Sequence, residues 1–215
     1  RRMKRFHSLL LVAVAVAAIP TSAFAQAVTD DWASAKMPDA PAVKAVTVDP
    51  KTTALIVMDF NKQGCSQQRR PRCVTALPHV QKILEEARSH NMYVVHTLAG
   101  TTTVADIPAS IAPKAGEQAF SAGPDKFIST TFDLQKTLKD KGITTLIAVG
   151  TAANGAELYT ASSAVFHGFK AIVPVDAMPG DTPFSEAMSI WQMSKGPRVA
   201  DGVTLTKVDM IGFGS

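Results

Sequence analysis

Long apolar runs, cysteine and surplus charge are all scarce in this chain of 215 residues. The longest nearly unbroken apolar stretch, Ser8 to Ile19, covers 12 residues, short of the roughly 20 that a membrane-spanning helix needs. Two cysteines with no second pair and no nearby histidine make a poor zinc site. Glycine and proline number 13 each beside 46% hydrophobic and 19% charged residues, which excludes a fibrous or disordered chain and leaves one folded domain as the expectation. The formal charge of +4 would suggest an anionic partner if it were spread over the fold. Arg1, Arg2, Lys4 and Arg5 carry all of it, since beyond residue 25 the chain holds 18 basic and 18 acidic residues. That balance removes the electrostatic argument for nucleic acid or a membrane surface as partner.

The N-terminus carries a secretory pattern: four positive residues, the apolar stretch, then Ala23-Phe24-Ala25 as a small-x-small cleavage signal. Residues 1–25 are therefore expected to be a signal peptide, residues 26–51 an arm without sustained periodicity, and residues 52–215 the domain. Export implies a periplasmic or secreted location with no membrane attachment after cleavage. It also makes a disulfide between Cys65 and Cys73 the leading reading of the cysteines, ahead of inert thiols and of a catalytic thiol. Arg69, Arg70 and Arg72 inside that loop are available to attract a carboxylate, or else simply face solvent.

Past Thr52, apolar runs of strand length alternate with stretches at helical spacing, the pattern of a parallel sheet covered on both faces. Strands are expected at 54–58, 93–95, 126–128, 145–149, 171–175 and 203–208. Pro174 in the fifth of these predicts a bulge or an edge-like pairing. Helices are expected from Pro78 with Val80, Ile83, Leu84 and Ala87 inward, around Leu134 and Leu138, and over 154–167. A last helix is expected after Thr182, with Phe184, Ala187, Met188 and Trp191 on its apolar face.

Ligands of such sheets bind beyond the carboxyl ends of strands, where strand order reverses. Asp59, His96 and the turn from Gly150 to Glu157 occupy such ends. The turn has the glycine spacing of a phosphate loop, but Ala156 and Glu157 stand where Lys and Ser/Thr are required, so nucleotide binding is excluded. What remains is a strand-to-helix turn whose amides can face an anion or oxyanion.

Three segments in order, Leu55-Ile56-Val57-Met58-Asp59-Phe60, Lys126 to Phe132, and Val149 to Ala156 with Thr160-Ala161 and His167-Gly168-Phe169, resemble the isochorismatase-like (cysteine hydrolase) superfamily. The resemblance spans about Thr52 to Asp209 and implies an α/β fold, a three-layer Rossmann-like sandwich around a six-stranded, mostly parallel sheet, often assembled as dimers or tetramers. Most members hydrolyse C–N bonds with an Asp, Lys and Cys triad. Asp59 matches the aspartate and Lys126 the lysine, while Ala156 occupies the cysteine's slot, and a methyl group forms no thioester. The loop from Asn61 to Cys73 has neither Asp nor His, so the metal site of nicotinamidases is not implied, nor is any cofactor.

Three explanations stay open: an engineered Cys-to-Ala variant of an amidase, a catalytically inactive binding homologue, or the superfamily's non-covalent chemistry. In the last, which is similar to isochorismatases proper, Asp59 acts as general acid/base and Lys126 as electrostatic stabiliser. Asn61, His96, Thr151, Ala152, Asn154 and Gly155 are expected around a small-molecule substrate. The expectation is thus an exported isochorismatase-like hydrolase without a cysteine nucleophile.

Overall fold

The computed structural model describes residues 27–214. The expected signal peptide, residues 1–25, lies outside the described residues. The chain divides into two units, up to Asp39 and from Ala40 onward. The first, from residue 27, consists of turns in which the Ser34 hydroxyl and amide donate to the Asp31 carbonyl.

The second unit runs β1 (Val46–Val48), β2 (Thr53–Met58), α1 (Pro71–Ser89), β3 (Tyr93–Leu98), β4 (Gln118–Ser121), α2 (Leu134–Asp140), β5 (Thr145–Gly150), α3 (Leu158–Phe166), β6 (Lys170–Pro174), α4 (Pro183–Lys195), β7 (Val203–Thr206) and β8 (Ile211–Phe213). Six strands form one sheet in the order β4-β3-β2-β5-β6-β7, every pairing parallel. Alternation along the strands divides the core in two. Leu55, Val57, Ile147 and Val149 meet the α1 side chains Val80, Ile83, Leu84 and Ala87 on one face. Ala54, Ile56, Met58, Leu146 and Ala148 meet Leu134 and Leu138 of α2, Ala161 and Ala164 of α3 and Met193 of α4 on the other. Both faces of the central strands are therefore buried, which is why β2 and β5 read as continuous apolar runs rather than alternating ones. Strand order reverses between β2 and β5, so their carboxyl ends open the crevice where such sheets bind ligands. Among the described residues no helix is long and apolar enough to cross a membrane.

Several elements differ from the sequence expectation. Pro71, not Pro78, opens α1; Pro78 lies inside the helix and leaves only the carbonyl one turn earlier without its donor. The third expected strand, at 126–128, is loop, with Ile128 74% exposed; the strand is Gln118–Ser121, an edge strand too short and polar to announce itself. β3 runs on to Leu98 because Thr97 and Leu98 pair with Phe120 and Ser121. β7 stops at Thr206, and the Val208 amide instead donates to the Asp176 carboxylate at 3.0 Å. Part of the expected arm belongs to the fold: β1 pairs in parallel with β8, and the Lys44 amide donates to the Leu205 carbonyl. Pro174 sits where β6 has already parted from β5, whose last partner is Ile172, and pairs only with Thr206 of β7.

The α4 expectation is reversed in facing. Ser189 and Met193 are buried, whereas Phe184, Met188 and Trp191 are exposed. The helix carries apolar residues on two stripes, and periodicity gives the stripes without saying which one meets the sheet.

Candidate active site

Asp59 follows β2 directly and takes a left-handed conformation, φ 61°. Its amide donates to the Thr97 carbonyl, which ties the turn to β3. The carboxylate then lies over the sheet face that carries Met58 and Val95, and both of its oxygens accept hydrogen bonds. Thr97 Oγ1 donates to Oδ1 at 2.6 Å and Lys126 Nζ to Oδ2 at 2.6 Å.

Lys126 is fully buried, and Asp59 is only 10% exposed. The lysine is held at both ends. Its amide donates to Thr160 Oγ1 of α3 at 3.2 Å, and Nζ donates also to the Gly123 carbonyl at 2.7 Å. A buried ammonium left without its carboxylate would cost about 3–5 kcal/mol, so each group holds the other in place.

The turn after β5 carries Ala156, the residue expected in the place of a nucleophile. Thr151 donates its amide to the Met58 carbonyl, fastening the turn beside Asp59, and the Thr151–Ala152 peptide is cis. Ala153 to Glu157 form one wide helical turn leading into α3, with Gly155 at φ −125°, ψ −109°. Ala156 is 4% exposed and packs in the apolar cluster that contains Met58. The expectation that this turn presents free amides holds only in part, because Ala153, Gly155 and Glu157 already donate to the Pro179 and Ala152 carbonyls.

Glu157, beside the slot, has no exposed surface, and neither carboxyl oxygen has a hydrogen-bond partner among the described residues. It lies against Gly150, where a Cβ would come within 3.1 Å of Oε2. Burial alone pushes its pKa up to about 8, so it is a neutral acid at neutral pH.

His96 stands apart from this site. It lies within β3 rather than at its end, on the face opposite Thr97, and its Nε2 bonds Glu117 at 3.1 Å while Arg88 of α1 grips the same carboxylate. Burial pulls the imidazole below its usual range. Asn61 shapes the loop after Asp59: its Oδ1 accepts from the Gly64 amide at 2.7 Å and its Nδ2 donates to the Asp59 carbonyl. Asn154 is exposed, and Ala152 and Gly155 are half-buried along the turn. Thr97 is not singled out by the sequence, and Thr160 enters there only as part of the family resemblance. With β3 extended to Leu98, period-two alternation singles out Thr97 as the polar side chain on Asp59's face.

Cys65 and Cys73 are bridged, with Cα atoms 5.0 Å apart, and the bridge fixes the loop that starts α1. Arg70 and Arg72 do not reach freely into solvent. Arg70 Nε donates to Asp181 and Nη1 to Thr151 Oγ1, and Arg72 forms a two-pronged bond with Glu186. A surface cavity of about 230 Å³ lies beside this clasp, lined by Arg72, His79, Asp176 and Glu186 among others, and a second of about 200 Å³ by Lys82 and Asp209; Asp59, Lys126 and Ala156 line neither. Among the described residues no three of His, Cys, Asp and Glu converge as metal ligands.

Comparison with solved structures gives the same architecture. An isochorismatase family protein from Desulfovibrio vulgaris superposes with a TM-score of 0.66 at 20% identity, covering 74% of this chain and 95% of that one. N-carbamoylsarcosine amidase from Thermoplasma acidophilum gives 0.62 at 18% identity, with 74% and 97% covered. A nicotinamidase/pyrazinamidase from Bacillus subtilis gives 0.63 at 14% identity, with 73% and 100% covered. At these identities the likeness is one of fold. A search of curated protein sequences gave no significant match. The model of the isochorismatase domain matches residues 53–207, most of the chain and all of the six-stranded sheet, and the chain therefore belongs to the isochorismatase family.

Proposed function

We propose that the protein is an exported hydrolase of a small molecule that works without a cysteine nucleophile, with Asp59 as general acid/base and Lys126 as electrostatic stabiliser. The observation that carries this reading is the buried 2.6 Å pair of Asp59 and Lys126 at the strand-order reversal, and the resemblance that aligns Ala156 with the family's cysteine supports it. In this reading Asp59 acts first as the base. It takes a proton from a water whose oxygen attacks the substrate, and returns that proton to the leaving atom as the bond to it breaks. Lys126 faces the negative charge that develops. The sequence of the leader and the Cys65–Cys73 bridge support export. Large exposed apolar side chains on α3 and α4, Tyr159, Phe166, Phe184, Met188 and Trp191, support assembly into a homo-oligomer.

Activity profiling of the purified protein against amides and enol ethers tests the catalytic part. Asp59→Asn should lower turnover at least about 100-fold, and Thr97→Val, which leaves the ion pair intact, should lower it less. Turnover that survives in a folded Asp59→Asn protein overturns the assignment. Robust amide hydrolysis gained by Ala156→Cys would instead establish the chain as a cysteine hydrolase lacking its sulfur.

A further inference from the structure

Arg70 is the residue before α1, enclosed by the Cys65–Cys73 bridge, with its amide donating to the Ser66 carbonyl and its carbonyl accepting from the Cys73 amide. The backbone is thus fixed on both sides. Its side chain is 13% exposed and reaches the turn after β5, where Nη1 meets Thr151 Oγ1 at 2.5 Å. Thr151 is the residue tied to Met58 and hence to the start of the Asp59 turn. The guanidinium is therefore anchored between the carboxyl ends of β2 and β5.

Its acidic partner is of a different kind. Asp181 is 58% exposed and touches Arg70 through one oxygen only, Oδ1 to Nε at 2.6 Å. Two other arginine pairs, one beside Arg70 and one at the far end of α1, are held by two prongs. Arg72 holds Glu186 with two nitrogens while Glu186 also accepts from the Gly180 amide, and Arg88 holds Glu117 with two nitrogens, each side chain 14% exposed. Asp181 holds a single prong and keeps most of its hydration, so a ligand carboxylate that takes its place on Arg70 leaves it free to return to water while the largely buried guanidinium stays paired. The edge formed by Nε and Nη2 would then accept a carboxylate with both oxygens, the geometry that arginine favours. Nη1 would stay on Thr151.

We propose that Arg70 is the anion-recognition residue of this site, that Asp181 occupies it as a displaceable internal stand-in, and that the substrate is a small molecule bearing a carboxylate. This rests on the hydrolase reading for the word substrate, but the recognition itself is a binding property. Asp181 competes with the ligand for Nε, so removing its charge frees the fork, whereas removing the guanidinium abolishes recognition.

Titration calorimetry with acetate, malonate and benzoate, each against its neutral amide, tests this on the disulfide-bonded protein. Asp181→Asn, a change on an exposed side chain, should bind the carboxylates at least tenfold more tightly than the wild type and leave the amides unchanged. Arg70→Gln should bind carboxylate and amide alike, and Arg70→Lys, which keeps charge without the fork, should fall between. The proposal is overturned if none of the three acids outbinds its amide in Asp181→Asn, or if both Arg70 variants bind the acids as the wild type does. Because the readout is binding, Arg70-dependent recognition in a protein whose turnover ignores Asp59 would sink the catalytic reading alone. Asp59-dependent turnover without that recognition would sink this one alone.

Discussion

Replacing Glu157 by glutamine should flatten the dependence of stability on pH. The folded protein keeps the Glu157 proton up to about pH 8, whereas the unfolded chain releases it near 4.5. Between those values the native state binds one proton more than the unfolded state, so stability falls as pH rises, by about 1.4 kcal/mol per pH unit. The contribution is complete below 4.5 and lost once pH has risen through about 8. From pH 5 to pH 7 this single side chain removes roughly 2–3 kcal/mol, a large part of a typical domain's stability. Urea unfolding at several pH values across that window gives the free energies for both proteins. Every other titratable group is common to wild type and variant, and the difference between the two curves isolates Glu157. Glutamine leaves buried amide donors without partners, worth about 1–3 kcal/mol, so the slope rather than the offset carries the result. Glu157→Met, which has no polar atoms, should be flat as well and more stable than the wild type at neutral pH. Parallel curves for wild type and both variants would mean that Glu157 is satisfied or hydrated in the folded protein, and the neutral buried acid would have to be abandoned.

The bridge between Cys65 and Cys73 should make the native protein lighter than its reduced form by the two hydrogens a disulfide removes, and replacing both cysteines by serine should cost about 2–3 kcal/mol on the chain-entropy account; both thiols alkylating freely without reductant would reject it. Gly150→Ala should destabilise by about 1–3 kcal/mol through overpacking, since its Cβ would stand 2.8 Å from Met58 Cβ. Gly123→Ala, where nothing lies within 4 Å, should be nearly silent in the same thermal melt, and equal losses at the two positions would contradict the packing described.

The central strands were legible because burial on both faces makes β2 and β5 uninterrupted apolar runs, and Asp59 was legible because it ends one of them. Lys126 came only through the family resemblance. Its strand assignment failed, since the segment is a loop whose conformation depends on Thr160 and Gly123, contacts separated from it by chain spacing or backbone geometry that no local pattern encodes. His96 was read as a strand end because β3 was ended three residues early; with the strand running to Leu98 it lies on the face opposite Thr97. Glu157 was visible as a residue and invisible as a buried acid, because no sequence pattern marks a carboxyl enclosed by apolar neighbours. The outward stripe of α4 shows the same limit from the other side, with apolar side chains that the domain itself leaves uncovered.

The pairing of β1 with β8 concerns time as well as space. Val46–Val48 find hydrogen-bond partners only in Ile211–Phe213, at the far end of the domain. Contacts of such sequence separation form late, because a long loop must close before they reward the chain. During synthesis the first strand of the domain therefore waits for the last, and a chain still emerging stays open along this seam. A domain built this way cannot close its final seam until its last strand has been made, so its first strand stays without a partner until synthesis has passed Phe213.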